Sequence, residues 1–213
     1  MIFNKNNLLL HQLTSKNKTR PELGGVLFKK DKTVATDSYI LGEVKNTEEY
    51  TNDIKEYPQL SDKSSPMLNF SKKGYIIPAK AVKKIISNLA GINAQIPILD
   101  NCIFTMPKTS DTSNIVSTDL EQVDAVTVKN IDSDYPNYGQ IMPDENVKKQ
   151  YKYIRINRKK LKQLVDLVNQ FDIKHKAIED VKIGIKGDSD PLLLEIALTN
   201  DAQFTGLIMP IQS

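Results

Sequence analysis

Three times along this chain a helical apolar stripe is followed by three short extended segments, and that recurrence limits the fold more than any other feature. In Pro78–Leu89 the residues Val82, Ile85, Ile86 and Leu89 fall at i, i+3, i+4 and i+7. Lys80, Lys83 and Lys84 lie on the opposite side, and Pro78 suits a helix start. In Asn157–Phe171 the stripe is Leu161, Leu164, Val165, Val168 and Phe171, with Asn157 as N-cap. Lys159, Lys160, Lys162 and Gln163 stay outside it. A weaker stripe, Leu8, Leu9, Leu10 and Leu13, predicts a first helix over Lys5–Ser15.

Extended segments are predicted after each helix. They are Gly25–Phe28, Thr33–Asp37 and Tyr39–Val44; then Ile98–Met106, Asn114–Thr118 and Val123–Ile131; then Asp180–Lys186, Leu192–Leu198 and Ala202–Ile211. With Met1–Asn4, Tyr75–Ile77 and Tyr153–Ile156 as leading strands, the unit is βαβββ, an α+β architecture. Local echoes support a repeat. Val34-Ala35-Thr36-Asp37 matches Val116-Ser117-Thr118-Asp119, Glu56-Tyr57-Pro58 matches Asp134-Tyr135-Pro136, and Gln140-Ile141-Met142-Pro143 matches Leu207-Ile208-Met209-Pro210. The polar segments Asn46–Pro66 and Asp144–Gln150 read as linkers. A degenerate fourth unit in Thr47–Ser71 stays open as an alternative.

Charge follows the same division. Seventeen of the 29 Lys and Arg residues lie in Met1–Arg20, Ser71–Gly91 and Asn146–Val165, stretches without a single acid. The remaining 12 bases face all 26 acids, so a formal charge of +3 conceals a bipolar molecule. One basic helical layer and an acidic remainder suit a protein that meets a polyanion on one side.

Other chemistry is sparse. The single cysteine, Cys102, excludes an internal disulfide and reads as an inert strand thiol. Gly24-Gly25 and Gly184-Ile185-Lys186-Gly187 lack phosphate-loop spacing. His11 and His175 have no histidine nearby in sequence, and Asp188-Ser189-Asp190-Pro191 reads as a turn rather than a calcium loop. Asp37 and Asp119 follow strands in Thr-Asp turns, where capping explains them better than catalysis. No apolar run spans a bilayer and no signal peptide is evident. The expectations are a cytoplasmic protein of one large or two small domains, without metal, cofactor or enzymatic activity.

Several strings then point to one family. Arg20-Pro21-Glu22-Leu23-Gly24-Gly25-Val26-Leu27-Phe28 with Val34–Asp37, Tyr75-Ile76-Ile77-Pro78-Ala79-Lys80, and Tyr135-Pro136-Asn137-Tyr138-Gly139-Gln140-Ile141-Met142-Pro143 resemble the middle domain of the bacterial β sliding clamp. Leu207-Ile208-Met209-Pro210-Ile211 resembles that clamp's C-terminus. Ile96–Asn101 with Thr118–Glu121 is similar to its first domain's opening. In that family twelve βαβββ units close into a ring, helices lining a basic hole and antiparallel sheets outside. The resemblance implies a clamp-type domain at 1–146, made of units 1–72 and 73–146, and a C-terminal clamp-type unit at 147–213.

It implies sequence-independent contact with duplex DNA through Lys16, Lys80, Lys83, Lys84, Arg158, Lys159, Lys160 and Lys162. It also implies a peptide pocket for DNA polymerase and clamp loader, carried over to Thr36, Ser38, Tyr39 and Leu41, then Pro136, Gln140 and Ile141, then Leu207, Met209 and Pro210. Ile40 and Tyr39 stand where the bacterial clamp has arginine and often histidine. A homo-oligomeric processivity factor is the resulting expectation. Two rivals are a monomeric clamp-derived regulator or decoy that binds clamp-interacting peptides, and a module that coats DNA without encircling it.

Overall fold

A computed structural model describes residues 2–46, 73–89, 97–105, 111–171, 180–198 and 203–211. The segments Thr47–Ser71 and Glu56–Pro58, most of the Asn46–Pro66 linker, Met106 and Ala202 lie outside them. The chain divides into two compact units, Met1–Asn137 and Tyr138–Ser213.

In the first unit, strand β1 (Ile2–Asn4) leads into helix α1 (Lys5–Leu9). Asn4 caps it: its side chain accepts from Asn6 N at 3.0 Å, and Asn7 Oδ1 accepts from Asn4 N at 3.0 Å. The helix expected to reach Ser15 stops at Leu9 and tightens into a 3₁₀ turn over Leu10–Leu13. Side chains supply the reason. Thr14 Oγ1 donates to the His11 carbonyl at 2.7 Å, and Thr14 itself is extended. Strands β2 (Gly25–Phe28), β3 (Lys32–Thr36) and β4 (Leu41–Lys45) follow. The second half of this unit repeats the order: β5 (Tyr75–Pro78), α2 (Ala79–Asn88), β6 (Asn101–Thr105), β7 (Thr112–Thr118) and β8 (Val123–Lys129). The strand expected from Ile98 begins only at Asn101, because Pro97–Asp100 forms a 3₁₀ turn.

The two halves exchange their leading strands. The sheets run β4-β3-β2-β5 and β1-β6-β7-β8, antiparallel at every described pairing. Thus β5 lies on β2 with Ile77 opposite Val26, and β1 lies on β6 with Phe3 opposite Cys102. Asn4 Nδ2 donates to Asn101 Oδ1 at 3.1 Å across the second junction. At the first, a Cβ on Gly25 would stand 2.6 Å from Ile76 Cγ2, so only glycine admits β5 this closely.

The exchange fuses the two half-cores. Thirteen buried apolar residues from both halves form one cluster, including Leu8, Val26, Ile77, Val82, Ile85 and Ile115. Phe3, Phe28 and Phe104 meet at its centre with ring centroids 4.6–4.9 Å apart. Helices α1 and α2 pack on each other. Asn7, buried, fixes α1 to the sheet by donating to Thr33 Oγ1 at 3.0 Å and Asn46 Oδ1 at 2.8 Å.

The second unit holds one half-repeat. A one-turn helix α3 (Glu145–Lys148), capped by Asp144, occupies the segment expected to be a linker. Helix α4 (Arg158–Val168) follows, with Asn157 Oδ1 accepting from Lys159 N and Lys160 N as its residue type predicts. Strands β9 (Lys182–Gly184), β10 (Leu192–Ala197) and β11 (Gln203–Ile208) make an antiparallel sheet in the order β11-β10-β9. Two expectations need correction. Tyr153–Ile156 is not a strand: it makes only an isolated bridge, Ile156 to Pro210, having no described neighbour to form a ladder with. The strand expected over Asp180–Lys186 shrinks to three residues for the same want of a second neighbour. The core here is small: Val168, Leu194 and Ile196, flanked by Leu164, Phe171, Leu198 and Phe204. Within each unit the helices cover one side of antiparallel sheet.

Candidate functional site

Basic side chains crowd the N-terminal halves of both long helices. On α2, Lys80, Lys83 and Lys84 form an exposed i, i+3, i+4 stripe opposite buried Val82 and Ile85. On α4, Arg158, Lys159 and Lys160 occupy the exposed first turn, with Lys162 one turn further. Neither helix has an acid in its first turn or a base in its last. Cations at the positive end of a helix cost roughly 0.3–1 kcal/mol each, so helix stability does not account for them. An external anion at the same end would be attracted by the charges and, at α2, whose Pro78 cap offers no side-chain acceptor, by the first-turn N–H groups as well.

The sequence-derived set is not uniform. Lys16 is exposed in the loop after the Leu10–Leu13 turn. Lys162 Nζ lies 2.8 Å from Asp166, an i, i+4 ion pair that offsets part of its charge. The acid-free stretch ends at Val165, one residue short of that partner. Lys160 Nζ donates to Gln163 Oε1 at 3.3 Å and has no acid beside it among the described ion pairs. Arg20 is held by Glu22 at 3.1 Å and donates to Ser38 Oγ at 2.9 Å.

The Thr36–Ile40 segment is a tight turn. Thr36 Oγ1 donates to the Ile40 carbonyl at 2.6 Å and accepts from Ser38 N at 3.1 Å. Asp37 Oδ1 accepts from Tyr39 N at 2.8 Å and Ile40 N at 2.9 Å, and these bonds hold its carboxyl below the ordinary 3.8. Thr118–Gln122 repeats this bond for bond. Thr118 Oγ1 donates to the Gln122 carbonyl at 2.7 Å and accepts from Leu120 N at 3.0 Å. Asp119 Oδ1 accepts from Glu121 N and Gln122 N, which lower its carboxyl pKa likewise. Ser38 and Leu120, the matching residues, both sit at positive φ, +88° and +82°. Both aspartates therefore serve turns.

The residues proposed for peptide capture divide between the units. In the first, Thr36 is buried, Leu41 half-buried, Ser38 exposed and Tyr39 almost wholly exposed; Pro136 is half-buried. In the second, Gln140 closes a 3₁₀ turn over Tyr138–Gln140, and Ile141 after it is exposed. Leu207 and Met209 are exposed at the end of β11, while Pro210 is half-buried against Ile156.

Within the second unit the structure joins two expectations at one place. A groove of about 830 Å³ runs between α4 and the end of β11. Leu164, Leu167, Leu207 and Met209 supply its apolar wall, and Lys159 and Lys160 its basic edge. Leu167 had no place in the helical stripe; an apolar residue off the stripe was the signal that a second face of α4 is apolar. Gly206 lies beneath Leu164, whose Cδ1 would stand 2.9 Å from a Cβ there, so the helix sits low on the strand. Among the described residues no cluster of three His, Cys, Asp or Glu is placed to hold a metal, and no helix is long and apolar enough to cross a membrane.

No protein-family model and no curated protein matches the sequence. Solved structures do match in fold. The chain is similar to the DNA polymerase sliding clamp of Pseudomonas aeruginosa, with a TM-score of 0.66, 11% identity, and coverage of 99% of this chain and 50% of that one. It is similar to the sliding clamp of Bacillus subtilis, with a TM-score of 0.62, 16% identity, and coverage of 100% and 49%. For the beta subunit of Streptococcus pyogenes DNA polymerase the values are 0.63, 12%, 100% and 50%. The chain has the sliding-clamp fold and spans about half the length of the structures it matches.

Proposed function

We propose that this chain is a clamp-type, non-enzymatic replication protein that contacts duplex DNA without reading its sequence and recruits a DNA polymerase through a short peptide. Residues 1–146 act as one clamp-type domain of two units, 1–72 and 73–146, and 147–213 as a further unit, working in the cytoplasm as a homo-oligomer. The observation that carries the reading is the pair of exposed basic helix starts, Lys80, Lys83 and Lys84 on α2 and Arg158, Lys159 and Lys160 on α4, set on the sliding-clamp fold. Side chains on solvent-facing helix turns can meet phosphates without entering a groove, which suits contact that must slide.

The test is fluorescence anisotropy on random-sequence duplex across 50–200 mM salt. Binding is expected to be weak and steeply salt-dependent. Replacing Lys80, Lys83 and Lys84 by alanine should flatten the log–log slope by about 3. An unchanged slope overturns the DNA assignment.

The groove favours a second reading, a regulator or decoy that captures clamp-interacting peptides without holding DNA. Its wall of Leu164, Leu167, Leu207 and Met209 suits an extended apolar peptide. Under either reading Met209→Ala weakens such a peptide several-fold. Only the decoy reading expects the three-lysine variant to lack any DNA phenotype.

A further inference from the structure

The two long helices carry the same stripe but meet different surroundings. Val82, Ile85, Ile86 and Leu89 on α2 correspond in spacing to Leu161, Leu164, Val165 and Val168 on α4. Val82 and Ile85 are buried to 1% exposure or less whereas Leu161 and Leu164 are half-buried, and half-buried Ile86 becomes exposed Val165; only the last pair, Leu89 and Val168, is buried in both.

The sheets differ in the same way. Val26 and Phe28 on β2, and Cys102 and Phe104 on β6, are buried in the fused cluster, and the edge of each strand is taken by the other half's leading strand. Strand β9 holds the corresponding place in the second unit. Ile183 stands opposite Leu194, so both point to the same face. Leu194 is 1% exposed but Ile183 is 55% and Ile185 is 52%. Among the described residues β9 pairs on one side only, with β10.

The missing cover has a counterpart in the same unit. In the first unit the leading strand β5 is gripped on its far edge by its own half-repeat, where Ile131 N donates to the Ile76 carbonyl at 2.9 Å. In the second, Ile211 N donates to the Arg155 carbonyl at 2.7 Å in the matching position, two residues before the helix cap. The leading segment is therefore held as in the complete domain, with its other edge unmatched among the described pairings. One unit thus presents a strand edge lacking a leading segment and a leading segment lacking a strand edge. Two copies satisfy both at once, which is the condition for a two-fold interface.

We propose that the Tyr138–Ser213 unit pairs with the same unit of a second copy. Helix α4 lies against α4, and Ile154–Ile156 of each copy runs antiparallel along β9 of the other. The register of the first unit transfers through the hairpins: Val26 and Cys102 lie across from Ala35 and Ser117, the last residue but one of β3 and of β7, and Val181 lies across from Ile196 in the same place on β10, so Ile156 faces Val181 and Ile154 faces Ile183. Lys159 and Lys162 match Lys80 and Lys83, which stay exposed beside a packed helix, so the basic face remains open. Leu207 and Met209 lie at β11, the opposite edge of the sheet from β9.

The experiment uses the full chain. Light scattering over a concentration series is expected to give twice the chain mass of 24.0 kDa, and Ile183→Lys is expected to return it to one. Because that variant could fail by misfolding, a second one carries the register. Ile154→Cys with Ile183→Cys, in a background where Cys102 is alanine, should give a covalent dimer under mild oxidation. A monomer at every concentration, an intramolecular disulfide, or a dimer indifferent to both changes overturns the pairing. A dimer that forms in the three-lysine variant, whatever the salt slope of that variant on DNA, separates this result from the fate of the DNA reading.

Discussion

The half-repeat built on α2 and the half-repeat built on α4 share a pattern but differ in completeness. The first has a companion that lends it a strand and a helix, and the fused cluster gathers thirteen buried apolar residues. Among the described residues the cluster of the second gathers three, and Ile183, on the face that is buried in the first, is exposed. Periodicity therefore states which residues are built to be buried; it does not state whose residues will bury them.

The two units differ most in packing at the aromatic centre of the first. Phe104→Ala removes a ring that touches both Phe3 and Phe28 and is expected to cost about 3–5 kcal/mol. Phe204→Ala, at a half-buried ring tilted on Phe171 at 5.0 Å, is expected to cost about 1 kcal/mol. Urea unfolding followed unit by unit measures both, and equal costs would deny that the units differ in packing.

Cys102 offers a smaller effect confined to the complete unit. Burial pushes its thiol up from 9.0 to about 12, so the native state keeps a proton that the unfolded chain releases. The first unit is therefore expected to lose stability as pH rises from 9 towards 12, while Cys102→Ala removes that slope. Native protein should also resist alkylation at pH 8 and react once unfolded; fast labelling of the native state would mean that this core opens readily.

The smallest effect sharpens the repeat itself. Asp37 and Asp119 accept matching pairs of backbone bonds and should both titrate below 3.8 by carboxyl NMR. Their contribution is present above that value and fades as pH falls through the native midpoints. Ordinary midpoints at both would remove the turns from the list of repeated features.

Local signals carried most of the secondary structure. The stripes of α2 and α4, the Asn157 cap and the echo of Val34–Asp37 in Val116–Asp119 need only neighbours within a few residues, and the last became a turn repeated bond for bond. What could not be read was long-range. The pairing of β1 with β6 joins residues about a hundred positions apart, and nothing in Ile2-Phe3-Asn4 names Asn101-Cys102-Ile103 as its partner. Tyr153–Ile156 alternates as a strand should, yet a strand is defined by its neighbour, and among the described residues this one meets only Pro210 and Ile211. For the site, the basic helix faces were legible from the acid-free stretches. The ion pair of Lys162 with Asp166 was one residue outside the stretch that drew attention to it. The groove was not legible, because it needs Leu167 and Met209, 42 positions apart, brought to one place.

The exchange of leading strands also imposes a rule of parity. A half-repeat that lends a strand and borrows one in return is satisfied only in twos, so a chain with an odd number always has a remainder. The described residues hold three. Where the third described half-repeat takes its partner from another copy, as proposed above, an assembly with none left over contains an even number of copies.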